Sequence, residues 1–263
     1  MKSTWKYVFG SVVGSSHLAV GTPCQDNCLV HVHRVAAGDI IIIAAADGAG
    51  SASRSDLGSK LACTEVVSCL IEHLSLEGGL SGVSIDTAQE WVDRICQLLR
   101  KKAFEDGAAL RDYACTLLTA VITAESGLFM QVGDGAIVIG RDGLYAPAFW
   151  PTQGEYANTT VFVTDERAHE ALQFDHRTEC VDEVAVLTDG LQSLALKFDT
   201  KEAHSGFFRP LFERLAAEEP GESCDLRTQM IDWLGSPKIL ARTDDDKTLA
   251  LATRRPASQR NRS

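Results

Sequence analysis

The sequence predicts an α+β layered architecture, in which antiparallel strand groups are separated by two long helices. Three observations carry this expectation. Residues 39–46 form a continuous apolar run, rich in β-branched isoleucine, that reads as a strand buried on both faces. Residues 55–76 and 85–105 follow with helical periodicity. From Cys115 onward, short β-branched and aromatic segments lie between turn signals, without a strict strand–helix alternation.

Taken in order, residues 5–13 and 27–34 read as strands ahead of the buried run at 39–46. The first helix sets Leu57, Leu61, Val66, Leu70 and Leu74 on its apolar face, and the second sets Trp91, Ile95, Leu98 and Leu99. Gly78-Gly79 breaks the chain between them. Strands are expected at 115–123, 128–132, 136–139, 159–164 and 183–188, helices near 202–217 and 222–234, and a closing strand at 249–252. No repeat or low-complexity linker interrupts this order. The expectation is one domain over 1–253 and a basic, solvated tail over 254–263 that carries Arg254, Arg255, Arg260 and Arg262.

Bulk properties exclude several classes. A chain of 263 residues with 45% hydrophobic and 23% charged residues suits a globular protein. No apolar run approaches the roughly 20 residues of a membrane-spanning helix, and no export signal opens the chain, so a cytoplasmic protein is expected. The net charge of -11 repels nucleic-acid phosphates. The eight scattered cysteines read as reduced thiols, mostly small buried apolar residues.

The chemistry lies in the carboxylates. Asp-Gly occurs five times, and a turn is the simplest account of each. It suits Asp142-Gly143 between short strands and Asp106-Gly107 at a helix end, and it is open to Asp134-Gly135. Asp47 and Asp189 fit it less well. Each ends a buried apolar run, and each precedes a segment that looks helical. A carboxylate at the end of a buried strand is costly unless it is paired or bound to a cation. Asp26 stands just before a strand, and Asp244, Asp245 and Asp246 stand before the last one. An oxygen-rich, histidine-poor ligand set favours magnesium or manganese over zinc.

Six segments then resemble the protein phosphatase 2C family, the PPM metal-dependent phosphatases, in family order. They are Pro23-Cys24-Gln25-Asp26, Ala46-Asp47-Gly48-Ala49-Gly50, Cys115-Thr116-Leu117, Val132-Gly133-Asp134-Gly135, Leu187-Thr188-Asp189-Gly190 and Asp245-Asp246-Lys247-Thr248. Cys-Gln-Asp in the first segment and Gly154-Glu155-Tyr156-Ala157-Asn158 further on look like a bacterial branch. The resemblance implies an α-β-β-α four-layer sandwich, with two central antiparallel sheets flanked by helices. It implies hydrolysis of phosphoserine and phosphothreonine in proteins by water activated between two Mn2+ or Mg2+ ions. Asp47 looks like the bridging carboxylate and Gly48 a carbonyl ligand. Asp189 and Asp245 complete one metal's shell, Asp26 holds water, and Asp134 matches the position of a third, weaker metal. A phosphorylated protein is the implied substrate, and a cognate serine/threonine kinase the implied partner by analogy.

Two departures stand out. Gln25 replaces the usual Glu, which removes a negative charge and predicts weaker metal binding. Gly21 and Ala49 stand where many members carry a phosphate-binding Arg and a proton-donating His. His17 lies close to the first motif and is the candidate to supply a cation or proton, with Arg54 a second candidate for phosphate. Three other readings compete. Asp244-x-Asp246-x-Thr248 matches the haloacid-dehalogenase nucleophile motif, but lacks a buried apolar strand before it. No Walker-type Gly-x-x-x-x-Gly-Lys motif occurs. A catalytically weak or dead relative that binds phosphoproteins as a regulatory module is the remaining alternative.

Overall fold

A computed structural model describes residues 4–36, 38–77, 79–150 and 160–256. In chain order its elements begin with β1 (Lys6–Val12), α1 (Ser15–Val20), β2 (Asn27–Val35), β3 (Gly38–Ala46), α2 (Ser55–Glu77) and α3 (Ile85–Glu105). Next come β4 (Leu117–Ile122), β5 (Gly127–Val132), β6 (Ala136–Arg141), β7 (Leu144–Pro147), α4 (Ala168–Ala171), β8 (Gln173–Arg177) and β9 (Glu183–Leu187). The chain continues through α5 (Gln192–Ala195), the hairpin β10 (Leu196–Lys197) and β11 (Glu202–Ala203), and α6 (Ser205–Ala216). It closes with β12 (Gly221–Glu222), α7 (Cys224–Leu234), α8 (Pro237–Leu240) and β13 (Lys247–Thr253). Among the described residues no helix is long and apolar enough to cross a membrane.

Two large sheets form, ordered β2-β3-β4-β5-β8 and β12-β1-β13-β9-β6-β7. Every pairing within them is antiparallel except the short β1–β12 contact. The period-two geometry of strands explains why the middle strands are apolar throughout. Ile41, Ile43 and Ala45 of β3 face the second sheet, where they meet Val184 and Val186 of β9 and Ala250 and Ala252 of β13. The intervening Ile40, Ile42 and Ala44 pack under α2 and α3 with Val66, Leu70, Ile95 and Leu99. On the other side, Ala185, Leu187, Leu249 and Leu251 pack under α6 and α7 with Phe208, Phe212, Met230 and Leu234. Three apolar layers between four structural layers produce the α-β-β-α sandwich.

The register brings one set of strand ends together. Asn27 pairs with Ala46, so Asp26 and Asp47 leave their strands side by side. Leu187 pairs with both Ala136 and Leu249, which draws the segments at 134–135, 188–190 and 245–246 to the same end.

The structure departs from the sequence expectations at four places. No strand forms over 160–164; Asp165 Oδ2 accepts the Phe162 amide at 2.9 Å and turns the chain before a ladder can start. The sheet edge is taken by β8 instead, half-buried and without a strong apolar pattern. Helix α1 buries none of its residues, and so leaves no periodic signal. Arg254 and Arg255, read as the start of the solvated tail, are anchored: Arg254 Nη1 donates to the Thr123 carbonyl at 2.8 Å and its guanidinium lies over the Trp5 ring, while Arg255 pairs with the buried Glu183 at 3.2 Å. Residues 154–158, and 257–263 of the tail, lie outside the described residues. Two turn assignments hold: Asp142 and Gly143 both take positive φ in the β6–β7 hairpin, and Asp106 caps α3. Asp134-Gly135 is not a hairpin, because it carries the chain from one sheet to the other.

Candidate metal centre

Each acidic residue is placed by the end of a strand and by a hydroxyl or amide that pins it. Asp47 follows β3. Its amide donates to Thr116 Oγ1 at 2.9 Å, and its carbonyl accepts the Thr116 amide at 2.8 Å. The Cys115-Thr116-Leu117 segment thus serves as a clamp for Asp47, and Ala49 extends it by donating to the Ala114 carbonyl at 2.9 Å. Asp189 follows β9 after Thr188. Gly190 lets this turn lie against the Asp246 carbonyl, where any Cβ would collide with it. Asp134 sits in the crossover between β5 and β6, with Oδ2 accepting from Thr160 Oγ1 at 2.7 Å. Asp26 is buried, and its Oδ2 accepts from Thr188 Oγ1 at 2.7 Å.

One carboxylate oxygen from each of Asp47, Asp134 and Asp189 lies within 4.8 Å of the other two. Asp26 borders the cluster through Asp47, and Asp245 borders it through Asp189. Burial pushes the Asp47 carboxyl far above the ordinary carboxylate range, and the neighbouring charges of Asp26 and Asp189 push it further. Asp189 is raised by burial, then by Asp134 and Asp245. Asp26 is raised by burial, against the opposing hydrogen bonds from Thr188 and Thr248. Four or five carboxylates so close together do not all ionise without compensating positive charge.

The donor chemistry fits a hard divalent cation. Buried Oδ1 of Asp26, Oδ1 of Asp134 and Oε1 of Gln25 have no hydrogen-bond partner, which is the state of an oxygen reserved for a ligand or its water. All these donors are oxygens, as magnesium and manganese prefer.

The other sequence candidates are placed as follows. Gln25 is buried, with Nε2 donating to the Ala52 carbonyl at 3.3 Å, so the orphaned Oε1 is its free end. Gly48 bridges to Cys115 beside Asp47. Asp245 is half-buried, and its Oδ1 already accepts the Asp246 amide at 2.8 Å. His17 rides on α1, with Nδ1 2.9 Å from Asp246 Oδ1. Arg54 is held by Asp106 at 3.2 Å, on the side of α3, and is not drawn into the acidic cluster. Two histidines outside those candidates, His31 and His33, share one face of β2 with ring centroids 6.2 Å apart, paired opposite Ile42 and Ile40 and so away from the strand end that carries Asp26 and Asp47.

Asp246 is the residue that sequence reasoning missed. Of three consecutive aspartates it is the buried one, accepting the amides of Gly14 and Gln25 at 2.6 Å each. Adjacent strand-entry residues point to opposite faces. Composition alone gives no means of choosing which of the three turns inward. The available signal was the pair Gly14 and Gly21, which frame α1; Gly21 caps it with φ 73°.

The sequence profile described as "Protein phosphatase 2C" matches residues 13–235. Over 252 residues the chain is 38% identical to Serine/threonine-protein phosphatase 3 of Escherichia coli (strain K12), an alignment spanning 95% of this chain and 98% of that protein. In fold it is similar to the serine/threonine phosphatase Stp1 from Staphylococcus aureus, with TM-score 0.60, 16% identity and 96% of each chain covered. It is also similar to PppA of Pseudomonas aeruginosa, described as a key regulatory component of T6SS, with TM-score 0.62, 16% identity, and 96% of this chain and 98% of that one covered.

Proposed function

We infer, for a chain that belongs to the protein phosphatase 2C family and is a protein serine/threonine phosphatase, that it removes phosphate from serine and threonine residues of proteins using two Mn2+ or Mg2+ ions held by the acidic cluster. The observation that carries this reading is the approach of Asp47, Asp134 and Asp189 to within 4.8 Å from three distant parts of the chain. Divalent ions bound there would neutralise charge on a phosphoryl group and lower the pKa of a water molecule.

The chain's own residues divide the remaining work. Asp47, Asp189 and Asp245, with the Gly48 carbonyl, hold the ions; Asp134 joins Asp47 and Asp189 closely enough to share one of them or to hold a third. Gln25 Oε1 and Asp26 Oδ1 orient water, and Asp26 is kept in place for this by Thr188. His17, at the rim, supplies the positive charge and proton that Gly21 and Ala49 cannot. Arg54 would have to leave Asp106 to reach a phosphate. The substrate is a phosphoprotein, and a serine/threonine kinase that phosphorylates it is the natural counterpart.

The test is turnover of p-nitrophenyl phosphate and of a phosphoserine peptide by the chelated protein, before and after addition of manganese. Turnover that requires the metal and disappears in Asp189→Asn is the expected result. A chain that binds the phosphopeptide but does not turn it over with either metal would instead be a phosphoprotein-binding module.

A further inference from the structure

Strand β2 carries two donors that the acidic cluster does not use. Its side chains alternate between two apolar layers. Cys28, Val30 and Val32 face the second sheet, whereas Leu29 and Val35 pack into the core under α2 and α3. His31 and His33 lie between Leu29 and Val35 on that second face, where an apolar pair would continue the pattern. Both are half-buried. β2 is an edge strand that pairs with β3 alone, so the two rings are open to water on the unpaired side.

The rings are placed like the two arms of a chelate. Side chains two residues apart on a strand stand about 6.5–7 Å from each other. The His31 and His33 ring centres are 6.2 Å apart, with their planes tilted by 41°. An ion held at about 2.0–2.1 Å from one nitrogen of each of two imidazoles sets the ring centres roughly 5–6.5 Å apart. The observed spacing falls in that range. Rotation about the side-chain bonds therefore suffices to turn one nitrogen of each ring toward a shared ion, with the backbone unmoved. The nitrogens are also free to ligate: among the described residues, neither imidazole has a hydrogen bond or an ion pair. His17, His169 and His204 differ in this, because each contacts a carboxylate or a carbonyl.

We propose that His31 and His33 form a second metal site, which takes a late first-row transition ion (Zn2+, Ni2+ or Cu2+) through one nitrogen of each ring, with water completing its shell. The donors decide the class of ion. Imidazole suits zinc, nickel and copper, whereas the carboxylates of the acidic cluster suit magnesium and manganese. The two sites therefore select different ions. They are also apart in space: His31 lies five residues beyond Asp26 along β2, about 16 Å from it. The net charge of -11 draws cations toward the surface. Two rings on one strand then hold an ion together, which a single surface histidine does not. The inference uses no residue of the acidic cluster and stands apart from the phosphatase reading.

Ni2+ is the probe, added to the full chain in saturating Mg2+ so that the acidic cluster is filled. Calorimetry should show a Ni2+-binding component that weakens by at least about 10²-fold in His31→Asn and again in His33→Asn, because each variant leaves a one-ring site. His176→Asn removes a half-buried histidine from β8, the opposite edge strand, and should leave that component unchanged. A second measurement needs no variant. Ni2+ is paramagnetic, and at sub-stoichiometric amounts it should broaden the ring signals of His31 and His33, assigned in the native chain, ahead of those of the other five of the seven histidines. The same isotherm in the native chain and in both variants overturns the proposal. So does a loss as large in His176→Asn, or broadening of His31 and His33 no earlier than of the rest. Absence of metal-dependent turnover bears on the phosphatase reading alone and leaves this site as it stands.

Discussion

Thr188 Oγ1 donates to Asp26 Oδ2 at 2.7 Å and accepts the Thr248 amide at 3.0 Å, so one buried hydroxyl joins the first, fifth and sixth acidic motifs. Those motifs are separated by most of the chain. Through these two hydrogen bonds the end of β9 holds the entry of β2 and the entry of β13 in one place.

Thr188→Val keeps the shape and removes the donor. It leaves a buried carboxylate oxygen and a buried amide unpaired, which costs about 1–3 kcal/mol for each group so exposed. Urea unfolding of the chelated protein should show a loss of that order, together with weaker manganese binding by calorimetry. An unchanged midpoint would mean that water replaces the hydroxyl and that Asp26 needs no such support.

The raised carboxyls make a signed prediction for the metal-free protein. Asp26, Asp47 and Asp189 hold protons in the native state at pH values where the unfolded chain has released them. The native state thus binds more protons, and stability falls as pH rises above the ordinary carboxylate range of about 4. Glu183, also raised by burial, acts in the same direction, whereas His31, lowered by burial and by His33, opposes it weakly from a half-exposed position. The melting temperature in chelator should fall between about pH 4.5 and 8, and manganese should raise it more at pH 8 than at pH 5. A flat or rising melting temperature over this window would show that the carboxylates do not crowd one another in solution.

Asp47→Asn separates stability from activity. Removing the most crowded charge should make the chelated protein more stable at pH 8 and flatten its pH dependence, while manganese-dependent turnover is lost. A variant that is less stable than the native chain in chelator would contradict the repulsion argument.

Gln25→Glu restores a charge beside an oxygen that now has no partner. The expected result is tighter metal binding, with the half-saturating manganese concentration for turnover lowered by about tenfold, within the range seen when groups around a metal are changed. Equal metal titrations for the two proteins would place Gln25 outside the metal shell.

Arg254→Ala tests where the folded domain ends. The guanidinium spans the Thr123 and Ala124 carbonyls, Asp182 and the Trp5 ring. Its loss should destabilise the protein by about 1–3 kcal/mol, with metal binding at the opposite end unchanged. A neutral substitution would return Arg254 to the status of a surface tail residue.

Amino-acid order alone determined the two long helices, the two-faced apolar strands and the motifs Asp26, Asp47, Asp134 and Asp189, because periodicity and turn chemistry are local and leave their pattern in consecutive residues. It also supported the family resemblance, and with it the sandwich. The tertiary structure decided what depends on contacts between distant segments. It chose Asp246 over Asp244 as the buried aspartate, turned His17 toward it, tied Arg54 to Asp106, and brought a carboxylate oxygen of Asp134 to within 4.8 Å of Asp47 and Asp189. It also put β8, and not residues 160–164, at the sheet edge. These outcomes are set by strand register and by which donors reach a buried oxygen, and neither is written in the spacing of neighbours along a chain.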